Sequence, residues 1–478
     1  MSLLDPKTWQ PVSLSGGESA VVEPATGDRL GTVVLASPED VAAASEAAVA
    51  AQRAWAATPH LVRAGVLRRA GDLFTAHADE IRDWVIRESG SVPGKAGFEL
   101  HVAAQECYEA AALASRPVGQ VLPSEEPRLS YTRRVPAGPV GVIAPFNVPL
   151  ILAIRSVAPA LALGNAVLLK PDPRTAVSGG LALAAVFAEA GLPDGVLHVL
   201  PGGAGTGRAL VAEPRVPVIS FTGSTAAGRA VGEAAGRALK RAHLELGGNS
   251  ALVVLADADI EAAVAQASWG SFFHQGQICM TTGRHLVHAS LYEEYVERLA
   301  AQAESLAVGD PYREEVHLGP IIDTGQLAKI DALVEASAAG GARVAAGGTH
   351  RDLFYRPTVL ADADDHTPAY AEEVFGPVAP VRAFTGLDEA AALAAAGPYG
   401  LSLGIVTRDA ALGLELADRI PTGIVHINDQ TVNDEAVAPF GGVAASGTGA
   451  RFGGEANLDA FTDLRWTTVR REPAGHPF

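Results

Sequence analysis

The sequence predicts an α/β protein with two doubly wound domains in tandem and a cleft between them. Two blocks of short apolar runs, separated by Ala-rich amphipathic stretches, carry this prediction. The first block holds "VGVIAPF", "AVLLKP", "GVLHVLPG" and "PVISFTGS", and the second holds "SALVVLADA", "RHLVHAS", "VAPVRAF", "LSLGIVTRD" and "TGIVHIND". Alternating strands and helices are typical of parallel sheets with crossover helices. We therefore expect two tandem Rossmann-like domains.

The segment before these blocks is predicted to be helical. Ser37 is the expected N-cap of "SPEDVAAASEAAVAAQRAW", because Pro38 follows it and acidic residues occupy the first turn. Apolar residues three and four positions apart continue through "VRAGVLRRAGDLFTAHADEIRDWVIRES" and "HVAAQECYEAAALAS". Cys107 lies in the last of these segments, beside alanine and tyrosine, so we interpret it as a core residue.

Composition excludes several classes of protein. The net charge of −18 argues against a nucleic-acid partner, because no basic stripe is present to neutralise phosphates. Two cysteines exclude a disulfide framework and a thiolate metal site, so we expect no metal and a reducing compartment. The N-terminus lacks the pattern of a signal peptide. The most apolar segment is interrupted by Arg155, Pro159 and Gly164, so we expect a cytoplasmic protein without a membrane partner.

"SFTGSTAAGRAVGEAAG" is a candidate anion-binding turn, because it follows a predicted strand and opens a helix. Gly223 and Gly228 would allow close approach to a ligand, and Ser224 or Thr225 can cap the helix. Free amides at a helix N-terminus suit a pyrophosphate, although a purely structural turn is equally compatible with the pattern. Lys170 in "LLKPDPRT" ends a buried strand, at the edge where α/β sheets bind ligands.

Cys279, in "SFFHQGQICMTTGRH", is the candidate nucleophile. Its glycine-flanked turn can aim backbone amides at an oxyanion, as a catalytic cysteine requires. Glu245 in "HLELGGNS" is a candidate general base, unless it forms a surface ion pair. Asn147 in "APFNVP" either donates to an oxyanion or caps a turn. His274 is a second candidate base, which would make the protein a cysteine hydrolase.

Taken in order, these motifs resemble those of the aldehyde dehydrogenase superfamily over essentially the whole chain. "PFN", "LLKP", "FTGS", "ELGG" and "GQIC" are followed by "EEVFGP", a strand ending at Asn428, "PFGG" and "SGTGARFGG". "FHQGQICMTTGRH" and "HINDQTVNDEAVAPFGG" are similar to the benzaldehyde and vanillin dehydrogenase branch. The resemblance implies NAD(P)-dependent oxidation of an aldehyde to the acid. It also implies no transfer to CoA, because Glu245 is retained.

The resemblance also implies roles for single residues. Cys279 would attack the aldehyde, and the Asn147 side chain with the Cys279 amide would hold the oxyanion of the thiohemiacetal. After hydride transfer to a nicotinamide, Glu245 would activate the water that hydrolyses the thioester. Glu373 and Phe375 of "EEVFGP" would hold and pack the nicotinamide ribose.

Other positions bear on the cofactor. The resemblance places Lys170 at the adenosine ribose and Ser224 near the pyrophosphate, and Phe146 stands where the family commonly has tryptophan. Pro173 replaces a glutamate that many NAD-preferring members carry three residues after the lysine. Because Arg174 is adjacent, both NAD and NADP stay open, with NAD favoured.

A mostly apolar tunnel is expected beside the thiol. It would be lined by Val148, Leu150, Leu152, Arg155, Phe273, Ile278 and Met280. Such a tunnel favours an aromatic aldehyde of the benzaldehyde or vanillin kind. Arg155 would instead anchor a succinic-semialdehyde-type substrate unless it forms a structural ion pair. The sequence also leaves open a broad aliphatic aldehyde dehydrogenase and a non-catalytic ligand-binding relative.

Domain boundaries follow from the same resemblance. We expect a dinucleotide-binding domain over 1–117 and 141–246, and a catalytic domain over 247–438. The segments 118–140 and 439–478 would form a small β oligomerisation arm. In it, "RLSYTRRVPAGPVGV" alternates like an exposed strand pair, and "DAFTDLRWTTVRRE" would pair with it or with another subunit. A homodimer or homotetramer is expected.

Overall fold

The computed structural model describes residues 3–4, 14–116 and 118–475 of the chain. It begins with the antiparallel strands β1 (Glu18–Val22) and β2 (Arg29–Val34), followed by the helices α1 (Pro38–Ala57), α2 (His60–Ala76), α3 (Ala78–Ser89) and α4 (Pro93–Leu113). The predicted N-cap of α1 is confirmed. The Asp40 amide donates to Ser37 Oγ over 3.1 Å, and the Ser37 amide donates to the Asp40 carboxylate over 2.8 Å. This capping box fixes where α1 begins.

The next part of the chain builds a five-stranded sheet. Two strands of another sheet, β3 (Val121–Leu122) and β4 (Leu129–Pro136), come first. The elements that follow are β5 (Val140–Ile143), α5 (Pro149–Ala162), β6 (Val167–Lys170), α6 (Ala182–Glu189), β7 (Leu197–Val199), α7 (Ala204–Ala212), β8 (Val218–Thr222), α8 (Thr225–Arg237) and β9 (Arg241–Glu245). The strand order is β7-β6-β5-β8-β9, and every pair is parallel. The order reverses between β5 and β8, which is the switch point where such sheets bind ligands.

The helix predicted over "TAVSGGLALAAVFAEAG" does not begin as a regular α-helix. A 3-10 turn over Pro173–Thr175 and a π-turn over Val177–Leu181 precede α6. The buried carboxylate of Glu88 accepts hydrogen bonds from the amides of Val177 and Ser178, over 3.0 and 2.7 Å. These contacts satisfy amides at the start of the segment and fix its irregular winding.

A seven-stranded sheet follows. Its part of the chain contains β10 (Ser250–Val254), α9 (Ile260–Phe272), β11 (Thr282–His288), α10 (Tyr292–Ser305), α11 (Thr324–Ala339), β12 (Arg343–Ala346), β13 (His350–Arg351), β14 (Phe354–Tyr355), β15 (Thr358–Ala361), α12 (Pro368–Ala371), β16 (Val378–Phe384), α13 (Leu387–Ala395), β17 (Tyr399–Gly400), β18 (Ser402–Val406), α14 (Ala410–Ala417) and β19 (Ile424–Ile427). The order is β12-β15-β16-β11-β10-β18-β19, and β12 is its one antiparallel strand.

Both faces of the second sheet are buried. Along β10, Leu252 and Val254 pack into one apolar cluster, while Ala251 and Val253 pack into another on the opposite face. Helices therefore cover the sheet on both sides, as in doubly wound folds. The prediction of two tandem doubly wound α/β units is confirmed, whereas the sequence analysis missed the edge strand β12 and its neighbour β15.

The last elements are β20 (Val443–Ala444), α15 (Ala456–Phe461) and β21 (Thr462–Val469). β21 pairs antiparallel with β4 along its whole length within the same chain, and β3 lies on the other side of β4. "RLSYTRRVPAGPVGV" is thus divided between two sheets, because β4 lies in this small sheet and β5 in the buried one. Within the described ranges, every helix is too short or too polar to span a bilayer.

Candidate active site

The candidate site lies where the two main sheets meet. Asn147 follows the carboxyl end of β5, and Glu245 is the last residue of β9. Two further residues precede strands of the second sheet. Cys279 precedes β11, and Glu373 precedes β16. The carboxyl edge of the first sheet therefore faces the amino edge of the second, and the predicted catalytic residues lie between them.

Cys279 is held by an unusual turn. His274, Gln275 and Gly276 all have positive φ angles, of 50°, 56° and 65°. The Gln275 side chain donates to the carbonyls of Gly90 and Pro320, over 2.9 Å each, and so anchors this conformation. Left-handed backbone at non-glycine residues is unfavourable and needs such support. The turn is thus fixed before it reaches the thiol.

Asn147 contacts the same turn. Its side-chain amide donates to the carbonyl of Gln277 over 2.8 Å, two residues before Cys279. The Asn147 side chain is buried, with 3% of its surface exposed. An amide nitrogen carries two hydrogens, so one is left to donate to a ligand at Cys279. The structure therefore brings Asn147 and Cys279 together, as predicted.

Two residues that the sequence analysis missed hold Asn147 in place. Lys95 and Glu99, four residues apart on α4, form a fully buried ion pair. Lys95 Nζ donates to the Asn147 carbonyl over 2.8 Å, and Glu99 accepts from the Leu150 amide over 2.9 Å. The pair thereby binds both ends of the turn at the start of α5. Its signal in the sequence is a lysine and a glutamate at helical spacing on an otherwise apolar helix.

Glu245 is buried without a partner for its carboxylate. It is 3% exposed, and neither oxygen has a hydrogen-bond partner among the described residues. Burial raises its pKa well above the usual value, against the opposing charges of Arg155 and Arg451. A carboxylate in this state is a stronger base than an exposed one and is free to bind a proton donor.

The thiol of Cys279 is protonated at rest. Burial and the carboxylates of Glu373 and Glu245 together raise its pKa to about 12, against the opposing charge of Arg155. The Glu245 carboxylate is thus close enough to act on the thiol. Ionising Cys279 requires removal of a proton by a neighbouring group.

"ELGG" contains two glycines because two other segments pass close to it. A Cβ at Gly247 would overlap the carboxylate of Glu373, and a Cβ at Gly248 would overlap the carbonyl oxygen of Cys279. The Gly248 amide donates to Glu373 over 2.9 Å. This hydrogen bond holds the Glu373 carboxylate at the cleft, and burial raises the pKa of Glu373. The motif therefore serves close packing around the thiol.

The residues predicted for the dinucleotide lie along the carboxyl edge of the first sheet. Lys170 ends β6, and its Nζ, on a side chain 8% exposed, makes no hydrogen bond or ion pair in the described chain. Burial lowers the pKa of Lys170, and the nearby Asp172 opposes this. Ser224 is the N-cap of α8 and accepts from the Ala227 amide over 3.3 Å. A buried cation without a partner, beside a helix N-terminus, fits an anionic nucleotide.

The two predicted glycines have different surroundings. The Gly223 amide donates to the Glu245 carbonyl over 3.0 Å, so it connects β8 with β9. A Cβ at Gly228 would overlap the side chain of Leu246. Gly228 therefore allows α8 to pack on the segment after β9. Its observed close contact is with Leu246, whereas the prediction for Gly228 was close approach to a ligand.

An aromatic pair borders the cleft. Phe146 and Phe375 lie edge to face with 6.0 Å between ring centroids, and Phe375 has a φ of 56°. The Arg174 guanidinium lies 4.2 Å from the centroid of Phe146. Arg174 also pairs with Asp172 over 2.9 Å and with Asp323 over 2.5 Å. Arg174 is therefore already bound by two carboxylates.

A cavity of about 840 Å³ opens beside Cys279. It is mostly apolar, and its predicted walls include Val148, Leu152, Phe273, Ile278 and Met280. The prediction for Leu150 is wrong, because its side chain points into the core of the first domain. Trp269, Val432, Asp434 and Phe440 are among the further lining residues that sequence reasoning missed. Trp269 stacks on Phe273 with 4.3 Å between ring centroids.

His274 does not act on Cys279. Its ring is fully buried, and neither ring nitrogen has a hydrogen-bond partner among the described residues. Burial lowers its pKa well below the usual value, and Lys95 lowers it further. The cysteine–histidine pair of a hydrolase is therefore not formed.

Fold and site together define an α/β protein whose partly buried cysteine lies at a cleft between two doubly wound sheets. The sequence matches the aldehyde dehydrogenase family over residues 12–467, so the chain belongs to that family. It is 70% identical to vanillin dehydrogenase of Amycolatopsis sp., and the match covers 100% of both chains. It is 50% identical to benzaldehyde dehydrogenase [NAD(+)] of Pseudomonas putida, over 98% of this chain and 96% of that protein.

A solved structure supports the same grouping. The NAD+ complex of aldehyde dehydrogenase from Bacillus cereus superimposes with a TM-score of 0.93 at 33% identity. The match covers 96% of this chain and 94% of that one. The predicted family and fold are confirmed.

Replacing Lys95 with methionine tests whether the buried pair positions Asn147. We expect Lys95→Met to lower kcat about 10- to 100-fold, because a displaced oxyanion donor loses its alignment. The rate of each variant is expressed as kcat per reactive Cys279 thiol, and the thiol is titrated in the folded protein. Lys240→Met is the matched control, since Lys240 Nζ also donates to a backbone carbonyl, that of Val211, over 2.7 Å.

A purely structural role for Lys95 would give a different result. In that case the variant would yield fewer folded molecules but an unchanged kcat per titrated thiol. Glu99→Gln, which keeps an acceptor for the Leu150 amide, should show a smaller loss than Lys95→Met.

Proposed function

We propose that this protein oxidises aromatic aldehydes to carboxylic acids with a nicotinamide dinucleotide, using Cys279, Asn147 and Glu245. One observation carries the proposal: the thiol and a side-chain amide line one apolar cavity, and a buried carboxylate lies close enough to act on the thiol. These are a nucleophile, an oxyanion donor and a base.

The first step forms a bond from Cys279 Sγ to the aldehyde carbon. Because the thiol is protonated at rest, a base must take its proton, and Glu245 has free oxygens for this role. The oxyanion then accepts hydrogen bonds from Asn147 Nδ2 and from the Cys279 backbone amide. A nicotinamide bound at the cleft would accept the hydride that leaves this carbon, so that the oxyanion becomes the carbonyl of a thioester. Glu373, Phe375, Lys170 and Ser224 are the residues that would hold the dinucleotide.

The second step releases the acid. Once Glu245 has released the thiol proton to solvent, it takes a proton from a water molecule, and the resulting hydroxide attacks the thioester carbon. The carbon–sulfur bond breaks, and the Cys279 thiolate is reprotonated as the carboxylic acid leaves. The free carboxylate of Glu245 favours hydrolysis over transfer to CoA.

The cavity walls and the relatives both support an aromatic substrate. Phe273, Trp269 and Phe440 give the cavity three rings on which an aromatic aldehyde can stack. Two relatives are named for vanillin and benzaldehyde. A succinic-semialdehyde-type substrate is less well supported, because the Arg155 cation already pairs with Asp434. A broad aliphatic substrate range would leave the aromatic lining unused.

We propose NAD as the preferred cofactor. The side chain next to Pro173 that could bind a 2′-phosphate is Arg174, and two carboxylates already hold it. Asp172 and Asp323 would also repel the phosphate. The NAD(+) in the name of the Pseudomonas putida relative agrees with this preference.

Assembly through the β4–β21 sheet is proposed as well. Val121, Leu464 and Trp466 are 76%, 62% and 63% exposed. Large apolar side chains clustered on one small sheet are typical of an interface. We propose a homodimer or homotetramer, with 118–140 and 439–478 as the oligomerisation arm.

Glu245→Gln should separate the two chemical steps. We expect a burst of reduced cofactor in the first turnover, slower than in wild type because the thiol must lose its proton to solvent, and then a steady rate at least about 100-fold lower, because hydrolysis has lost its base. Stopped-flow absorbance with benzaldehyde and NAD measures both phases. Cys279→Ala should show neither burst nor turnover, and Glu233→Gln, on the exposed face of α8, should behave as wild type. An unchanged steady rate in Glu245→Gln would remove Glu245 from the mechanism.

Cofactor preference should depend on the carboxylates around Arg174. We expect wild type to favour NAD over NADP at least about tenfold in kcat/KM. The double variant Asp172→Asn, Asp323→Asn should narrow this ratio, because Arg174 is released and two negative charges are lost. Asp365→Asn, which breaks an Arg–Asp pair elsewhere, is the control. Equal use of both cofactors by wild type would contradict the proposal.

The arm can be tested through its exposed face. The double variant Leu464→Glu, Trp466→Glu should shift the protein to smaller assemblies, because charges would be buried at the interface. Light scattering after size exclusion measures the mass. Leu239→Glu is the control, since Leu239 is a 94% exposed leucine outside the arm. An unchanged mass in the double variant would exclude this face from assembly.

A further inference from the structure

The wall of the cavity contains one charged pair. Arg155, on α5, is 2% exposed and forms an ion pair with Asp434, whose side chain is 9% exposed. The Arg155 guanidinium also lies 4.3 Å from the ring centroid of Phe440. All three residues line the same cavity as Cys279. The pair is therefore a charged spot in the wall of a mostly apolar cavity.

Three atoms of this pair have no partner. Arg155 Nε and Nη1 are buried donors without an acceptor, and Asp434 Oδ1 is a buried acceptor without a donor, among the described residues. Buried polar groups are normally hydrogen-bonded, and leaving several unpaired at one place is unfavourable. A ligand in the cavity can satisfy them. Both donor and acceptor sites are open, so the ligand group should accept and donate.

The charge of the pair limits which group can bind. Asp434 neutralises Arg155, so an added carboxylate would meet an acceptor as well as a donor and be repelled by Asp434. Glu106, on α4, is a further acidic neighbour of Arg155. Because burial raises its pKa to about 8, its carboxyl group is mostly uncharged at neutral pH. A hydroxyl group suits the pair, since its oxygen accepts from Arg155 while its hydrogen is donated to Asp434.

We propose that Arg155 and Asp434 form a specificity subsite for a hydroxyl group on the ring of the aromatic aldehyde, and that they discriminate against ring carboxylates. This inference rests on the proposed oxidation of aromatic aldehydes and adds the ring substituent that the site selects. The hydroxyl would lie at the pair while the aldehyde reaches Cys279, within one cavity.

If the Arg155–Asp434 pair had only a structural or electrostatic role, its loss would affect catalysis differently from the loss of a hydroxyl-binding subsite. The charge of Arg155 also lowers the pKa values of Cys279 and Glu245 from the levels that burial sets. Loss of that charge would change the rate with every aldehyde by a similar factor. Recognition of a hydroxyl changes the ratio of kcat/KM values between aldehydes with and without the hydroxyl. The ratio is therefore the quantity to measure.

The test compares five aldehydes with the intact protein and NAD: benzaldehyde, and its para-methyl, para-hydroxy, meta-hydroxy and para-carboxy derivatives. For wild type we expect kcat/KM to be about 10- to 100-fold higher for one of the hydroxy compounds than for the methyl compound, which has a similar size. The para-carboxy compound should be the poorest substrate. Turnover of benzaldehyde without any preference for a hydroxyl would overturn the inference and leave the proposed function intact. Absence of turnover with all five would overturn both.

Two variants make the assignment specific. Arg155→Met should reduce the hydroxy-to-methyl ratio to near one, whatever happens to the absolute rates. Asp434→Asn should reduce the same ratio and raise the relative kcat/KM of the para-carboxy compound at least about tenfold, because Arg155 is no longer neutralised. Asp388→Asn breaks an exposed Arg–Asp pair on α13 and should leave all ratios unchanged. Wild-type ratios in both Arg155→Met and Asp434→Asn would refute the subsite.

Discussion

The short connection between the two sheets determines the geometry of the whole site. β9 ends at Glu245 and β10 begins at Ser250, so only residues 246–249 join the sheets. Because the chain leaves one sheet at a carboxyl edge and enters the next at an amino edge, these two edges must face each other. Every loop at either edge then opens into the same cleft. Gly247 and Gly248 are needed here, since a side chain would collide with Glu373 or with the Cys279 carbonyl.

This closeness has an electrostatic consequence. Three acidic groups, Glu245, Glu373 and the Cys279 thiol, lie near one another, the first buried and the other two partly buried, and their pKa values are all raised. Buried ion pairs rarely add stability over apolar packing, so their presence points to a positioning role. Two such pairs lie in the site, one within α4 and one between α5 and the segment after β19. Lys95–Glu99 fixes the Asn147 turn, and Arg155–Asp434 lies in the wall of the cavity.

The local sequence carries most of the fold and the motifs of the site, because strand periodicity and helix caps are short-range signals. The Ser37 cap and the strands "AVLLKP" and "SALVVLADA" are recognisable for that reason. What could not be predicted depends on contacts between distant segments. Leu150 follows the "PFN" turn yet points into the core, and the partner of Arg155 lies 279 residues along the chain. No local pattern indicates which side chain meets it.

Proton transfer within the site resolves an apparent conflict between burial and reactivity. Ionising Cys279 into solvent would place a further negative charge beside Glu373 and Glu245, which burial makes unfavourable. Moving the thiol proton onto Glu245 leaves the net charge of the site unchanged and removes one of the two carboxylates that oppose the thiolate. In the proposed mechanism, the buried Glu245 holds the proton while Sγ attacks and releases it to solvent before hydrolysis begins.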